Sequence, residues 1–405
     1  MGRLLAGIIV LALVLRVAAV AGTWDAQPWG DPADYHAHGV SLATAGTYPP
    51  TGFAEPGGAS ALRPPAYPYL VGAVYEVAGV KVNAARLAGV LLGTLSVLLV
   101  YAIGLRLFGR RSGLWAAGAA AVFPPLVWLS ASLLSENLFV PLVLGAVLLL
   151  LSLRERPRVA VAVALGFVLA LAALTRSNGA LLLVAAVVAL VPLRRPAVVV
   201  AVLAAFAVTL VPWTVRNLDA LDAFRPLGTQ GGYTLAGQWN EEAARNDDFQ
   251  AAWRVPEQVP AFAGLFRRPG VTEAEVDGSL RRRAVDFARA NPRHVTDAIG
   301  LNALRMFEIG PGHAFVSGVA HREMGIAKPW RPVVQVSVWL LVVAAAVGAW
   351  RLRRLEPLWL WLFPALLLVA VVPLLGSPRY RAPVDPFLLL LATGGLAATR
   401  PRAAA

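Results

Sequence analysis

The sequence predicts an all-α, polytopic membrane protein of about ten transmembrane helices, with two long loops on one side of the bilayer. Three observations carry that expectation. The 405 residues are 58% hydrophobic and only 15% charged, a balance foreign to soluble domains. Apolar windows of roughly the 20 residues that cross a bilayer core recur along the chain. The basic residues gather in the short segments between those windows, as expected of loops that stay in the cytoplasm.

Taken in order, the windows fall at 4–21, 82–105, 114–131, 137–153, 159–174, 178–193, 197–213, 332–350, 358–375 and 384–398. Arg3 and the run ending in Ala19-Val20-Ala21 have the outline of a cleaved signal peptide. Arg16 interrupts that run, and the polar residues of interest follow it, so it is expected to remain as the first span. Gly89 and Gly93, four residues apart in the second span, suit close helix packing. The windows 159–174 and 178–193 are short, with only Thr175, Arg176 and Ser177 between them.

Threading the spans with the N-terminus inside places Arg3, Arg106, Arg110, Arg111, Arg154, Arg156, Arg158, Arg194, Arg195, Arg351, Arg353, Arg354, Arg400 and Arg402 in the cytoplasm. Only Glu155 and Glu356 accompany them. Both termini are then cytoplasmic. Topology and anionic lipid headgroups account for the net charge of +13, with no role for nucleic acid.

The chain divides into a membrane module over 1–213 that includes an outside loop at 22–81, an outside loop region at 214–331, and C-terminal membrane helices over 332–405. Helices are expected at 33–45, 273–290 and 294–308, where apolar residues recur at three and four; Val276, Leu280 and Val285 illustrate this, with Arg281, Arg282 and Arg283 between them. Such helices suit the membrane surface. Gly231-Gly232, Gly310-Pro311-Gly312 and Lys328-Pro329 mark turns. With no cysteine, the outside loops use no disulfides.

A transporter, a channel and a membrane enzyme share this layout, so the polar residues must decide. The first outside loop reads Trp29-Gly30-Asp31-Pro32-Ala33-Asp34-Tyr35-His36, then Leu62-Arg63-Pro64-Pro65-Ala66-Tyr67-Pro68. An acid just after one span and an arginine before a Pro-rich return lie near the membrane surface, in reach of a lipid-linked phosphate. Asp31 also suits a helix N-cap followed by proline, and the two readings are compatible. Arg16 and Glu136 sit in or beside the bilayer, where an ionisable group is costly unless paired or functional.

The order Gly-Asp-x-x-Asp-Tyr, Arg-Pro-Pro-x-Tyr-Pro, Phe123-Pro124-Pro125 with Ser135-Glu136, Leu174-Thr175-Arg176-Ser177, Pro212-Trp213-Thr214-Val215-Arg216-Asn217, Gly231-Gly232-Tyr233 and Pro378-Arg379-Tyr380-Arg381 resembles bacterial family 39 glycosyltransferases. These are relatives of protein O-mannosyltransferases and of the lipid A aminoarabinose transferase, within the GT-C superfamily. The resemblance runs over almost the whole chain. It implies GT-C architecture and an inverting transfer of a sugar from a polyprenyl-phosphate carrier, at the outer face of the bacterial cytoplasmic membrane, to a hydroxyl of a protein, lipid or glycan acceptor.

In such enzymes an acid of the first outside loop deprotonates the acceptor. That role falls on Asp31, with Asp34 as the substitute, because Pro32 stands where many members have a second acid. Guanidinium groups stabilise a leaving phosphate through forked contacts, which makes Arg63 the first candidate, followed by Arg216, Arg379 and Arg381 at outer span ends. Snorkelling to lipid headgroups explains an arginine there equally well. Arg16 either pairs with Glu136 or reaches the donor phosphate while Glu136 orients the sugar. Tyr35, His36, His38, Tyr67, Tyr233 and Tyr380 are candidate sugar contacts, although aromatic residues also collect at bilayer interfaces. Asp31, Asp34, His36 and His38 form no compact metal motif, so no metal is required and a divalent cation is optional. The competing class is a flippase or other secondary transporter, disfavoured by the lack of an internal repeat and by polar residues gathered on one side.

Overall fold

The computed structural model describes residues 2–245, 249–353 and 358–397. Its helices are α1 Gly2–Gly22, α2 Asp31–Ala45, α3 Ala66–Ala78, α4 Val82–Phe108, α5 Arg110–Val122, α6 Pro124–Ser130, α7 Glu136–Glu155, α8 Val159–Thr175, α9 Leu182–Leu190 and α10 Pro196–Leu221. The second loop region holds α11 Gln230–Gln238, α12 Glu241–Arg245, α13 Pro260–Ala263, α14 Glu273–Ala290, α15 Pro292–Met306 and α16 His313–Glu323. The chain then returns through α17 Arg331–Leu352, α18 Leu358–Val371 and α19 Asp385–Ala397. Among the described residues the only β pairing is one bridge between Pro50 and Ala59. Helices dominate because lipid offers the backbone no hydrogen bonds, so each spanning segment must satisfy its own.

Among the described residues, five helices are long and apolar enough to cross a membrane: α1, α4, α7, α10 and the segment Lys328–Leu352 that contains α17. The predicted span 114–131 is instead two helices, α5 and α6, bent by 59°. Pro124 and Pro125 lack the N–H groups a continuous helix needs, and Phe123 before them is extended. The remaining predicted spans are the shorter apolar helices α8, α18 and α19 and the stretch Ser177–Leu193 that contains α9.

Small residues set the helix spacing. A Cβ on Gly93 would meet Ser130 Oγ at 2.1 Å and Arg16 Nε at 2.9 Å, and one on Gly89 would meet the Ser130 carbonyl at 2.6 Å. The glycine pair therefore lets α4 close on α6 and leaves room for the Arg16 side chain. Arg106, at the end of α4, donates to Ser152 Oγ near the end of α7 at 2.6 Å, so two predicted basic loops share one end of the bundle. Arg354, Glu356, Arg400 and Arg402 lie outside the described residues.

At the opposite end the two long loops close over each other. Glu55 N donates to the Val271 carbonyl, and Arg267 N to that of Phe53. Ala61 N donates to Glu273 Oε1 at 2.8 Å. Phe53, Phe262, Val276 and Leu280 form the small core between them. Helix α14 begins at a capping box of Thr272 and Glu275. Gly231-Gly232 forms no turn but lies inside α11, where a Cβ on Gly232 would come within 2.0 Å of the Asp277 carbonyl. The glycine serves the close approach of α11 to α14.

Candidate active site

The site is built where the first loop turns into α2. Gly30 has φ +69°, and a Cβ there would lie 2.7 Å from Glu323 Oε1, so both backbone and space demand glycine. Asp31 is the first residue of α2 and makes no capping hydrogen bond with its side chain. The carboxylate is spent elsewhere: Oδ1 accepts from Arg63 Nη2 at 2.6 Å, and Oδ2 accepts from Arg379 Nη2. Asp34, one turn later, accepts from Arg63 Nε at 2.5 Å, and His38 Nδ1 lies 3.4 Å from its Oδ1. Arg63 thus grips two acids presented by one face of α2.

Three further elements close the cluster. Glu136, the fully buried first residue of α7, pairs with Arg176 Nη1 at 2.8 Å and lies 3.7 Å from Arg379 Nε. Glu323, the last residue of α16, accepts from Arg379 Nη1 at 2.7 Å with one oxygen and from the Asp31 N–H at 3.3 Å with the other. Tyr380 accepts from Arg379 Nη2 at 2.8 Å, and its ring lies under both Arg379 and Arg176, 4.6 and 4.9 Å from their centres. Three guanidinium groups, those of Arg63, Arg176 and Arg379, therefore face the four carboxylates of Asp31, Asp34, Glu136 and Glu323.

Two cavities flank this cluster and share Asp31, Arg63, Gln230, Arg379 and Tyr380 as a common wall. The first, of about 190 Å³, adds Tyr35, Ser135, Arg176 and Asn178, with Ala370, Val371 and Leu374 where α18 runs out. The second, of about 250 Å³, adds Tyr233, Trp253, Asn302, Phe315 and Glu323 from the second loop region. One side is cationic and backed by the apolar end of a membrane helix. The other is aromatic, with amides and a carboxylate.

Burial opposes ionisation of Asp31, but Arg379 and Arg63 outweigh it and hold the carboxyl well below its ordinary range. Asp34 behaves alike, burial being overcome by Arg63 and His38 to leave it at about 2. Glu323 goes the other way. Burial, opposed by Arg379 but reinforced by Asp31 and Glu136, pushes it up to about 7. With Glu323 protonated, the charges of the cluster balance.

Of the residues singled out in sequence, Asp31, Asp34, Arg63, Arg379, Glu136, Tyr35 and Tyr380 come together here, and Tyr233 lines the second cavity. Others do not. Arg216 donates to the Ser60 carbonyl at 2.6 Å and to Asn217 Oδ1, with its charge over the rings of Tyr48 and Trp213, and it borders neither cavity. Arg381 turns away into a pair with Asp385 at 2.8 Å and a hydrogen bond to the Met306 carbonyl. Arg16 pairs with no acid: Ser130 Oγ and the carbonyls of Ala12, Ala120 and Ala121 take its donors, so it neither bridges to Glu136 nor faces the cavities. His36 bonds Tyr75 Oη at 2.8 Å outside both cavities, and Tyr67 is buried edge-on behind Tyr35.

Two site residues were absent from the sequence-derived set. Arg176 stood in the Leu-Thr-Arg-Ser motif, and its signal was a lone cation between two short apolar runs. Glu323 had none, being one acid among several in a long loop. Among the described residues no group of three or more His, Asp or Glu is placed to hold a metal ion. The acids of the cluster instead face guanidinium groups.

The model of the family described as dolichyl-phosphate-mannose-protein mannosyltransferase matches residues 62–215, which carry Arg63, Glu136 and Arg176. Among solved structures, the oligosaccharyltransferase of Archaeoglobus fulgidus tethered to an acceptor peptide aligns over 97% of this chain and 49% of its own, at 14% identity and a TM-score of 0.57. The same organism's oligosaccharyltransferase AglB, in complex with an inhibitory peptide and a dolichol-phosphate, aligns over 97% of this chain and 50% of its own, at 13% identity and 0.56. ArnT from Cupriavidus metallidurans, bound to undecaprenyl phosphate, aligns over 97% and 77% at 15% identity and 0.48. No curated protein matches by sequence. The chain spans about half the length of the archaeal enzymes. It shares the fold of these archaeal oligosaccharyltransferases.

Proposed function

We propose that this chain is an inverting glycosyltransferase that takes its sugar from a polyprenyl-phosphate carrier at the outer face of the cytoplasmic membrane and passes it to an acceptor hydroxyl. One observation carries the reading. Arg63, Arg176 and Arg379 converge from a loop, a helix end and a turn on a cavity closed by the apolar end of α18. A phosphate on a lipid tail needs that combination of forked donors and apolar wall. An archaeal enzyme of the same fold has been solved with a dolichol-phosphate, which supports it further.

In this reading the acceptor oxygen attacks the anomeric carbon as its proton passes to Asp31. The bond from that carbon to the phosphate oxygen breaks, its electron pair leaving with the polyprenyl phosphate. Paired to two guanidinium groups, Asp31 is a weak base. A donor phosphate that draws Arg379 and Arg63 toward itself weakens those pairings and raises the basicity of Asp31 as the donor arrives. Asp34 then steadies Arg63.

The test is Asp31→Asn, assayed by loss of sugar from a panel of polyprenyl-phosphate sugars. Asparagine keeps the shape but cannot take a proton, so turnover falls by on the order of 10²-fold or more while donor binding persists. Asp34→Asn is milder. If Asp31→Asn keeps more than about a tenth of wild-type turnover, well above the loss a missing base causes, the base assignment fails. Orientation is checked separately: reporters fused after residues 111, 156, 195 and 353 read as cytoplasmic and one near 245 as external. Two or more external readings among the first four overturn the topology.

A further inference from the structure

The second cavity shares Arg63 and Arg379 with the first but lacks Arg176, and the rest of its walls differ in kind. Resting on the transferase reading above, we propose that it is the acceptor site and that it receives a saccharide, with a sugar face against Trp253 and Tyr233 and hydroxyl groups toward Glu323, Gln230 and Asn302.

The rings are fixed before any ligand arrives. Trp253 Nε1 donates to the Thr234 carbonyl at 3.1 Å, and the indole lies so close to α11 that a Cβ on Gly237 would come within 2.0 Å of Nε1. The Tyr233 hydroxyl donates to Glu257 at 2.8 Å, and its ring centre is 5.9 Å from that of Trp253. With their polar tips engaged by protein, both rings offer apolar surface, which suits the C–H face of a pyranose.

The polar groups offer the complement. Asn302 Nδ2 is held by Gln238 Oε1 and the Val372 carbonyl, which leaves its oxygen to accept. Gln230 supplies an amide, and Glu323 a carboxyl group that accepts from the Asp31 N–H, next to the wall common to both cavities. A hydroxyl bound there lies next to the proposed base. Without Arg176, this side offers an anion fewer cationic partners than the first cavity does.

A peptide fits these walls poorly. An extended peptide gains affinity from unpaired backbone groups along a strand edge. The part of this cavity walled by α11 and α16, with Asn302 of α15, presents backbone groups that are mostly paired within the helices.

The experiment needs no donor. Saturation-transfer NMR on the full-length protein in detergent compares the methyl glycosides of glucose, mannose, galactose and arabinose with a blocked hexapeptide containing serine and threonine. At least one glycoside receives saturation and the peptide does not. Trp253→Ala weakens that glycoside by about five- to tenfold, as expected for losing one stacked ring, and Trp253→Phe recovers part of it. Binding of undecaprenyl phosphate stays unchanged in both variants, which certifies the fold. The inference is overturned if no glycoside binds, if Trp253→Ala leaves glycoside binding intact, or if the peptide binds in a Trp253-dependent manner. Discharge of polyprenyl-phosphate sugars by a protein blind to glycosides would sink only the acceptor class. Glycoside binding by a protein that discharges no donor would sink the transferase reading itself.

Discussion

Arg379 and Arg381 lie two residues apart on one short 3-10 turn, both almost wholly buried, yet the structure uses them differently. Arg381 faces inward to Asp385 and the Met306 carbonyl, a set closed off from both cavities. Arg379 faces outward to Asp31, Glu323 and Tyr380, each of which borders a cavity. Arg16 repeats the closed pattern with backbone carbonyls. Burial of a guanidinium therefore does not mark a ligand site in this molecule. In the proposed reading, what marks it is a set of partners that an incoming anion can replace.

The largest effect that would break this distinction comes from neutralising each arginine in turn. Arg379→Gln raises the donor KM by about 10- to 100-fold, the scale of a hydrogen bond to a charged group. Arg381→Gln leaves that KM unchanged and lowers the melting temperature instead, because it strands Asp385 in the interior. Equal KM values in the two variants would end the comparison. Arg63 sharpens it at a smaller scale: Arg63→Ala weakens donor use more than Arg63→Lys, since a lysine keeps the charge but not the fork. Unchanged donor affinity and turnover in Arg63→Ala would shift the phosphate wholly to Arg379 and Arg176.

A smaller effect is set by Glu323. Its carboxyl stays protonated up to about pH 7, whereas an ordinary glutamate ionises near 4.5. Ionised, it competes with the donor for Arg379, so donor affinity declines severalfold as pH rises through about 7, and Glu323→Gln abolishes the step. The same raised value means that the stability this protonated carboxyl contributes is lost as pH climbs from about 4.5 to about 7, a loss the glutamine variant escapes. A pH profile identical in variant and wild type would remove Glu323 from the site. The smallest expected change in function is that of Arg16→Met. It frees four hydrogen-bond acceptors and lowers the melting temperature, but donor KM and turnover stay put.

Much of this architecture was legible in the sequence because it rests on local chemistry. Apolar runs near bilayer length locate the membrane helices, since a lipid-exposed backbone must bond to itself. Proline explains the one predicted span that breaks, at Phe123-Pro124-Pro125, and the three- and four-residue periodicity located α14 to the residue. The motif order likewise brought forward Asp31, Arg63 and Arg379.

Tertiary structure alone decided which arginines share the cavity. At a span end, Arg216, Arg379 and Arg381 read alike, and their directions depend on the angle at which neighbouring helices pack. Packing also turned Asp31 from a helix cap into the partner of two guanidinium groups. Glu323 meets Asp31 across 292 residues of chain. No local pattern encodes that contact, because it exists only once the two long loops have closed over the ends of the membrane helices.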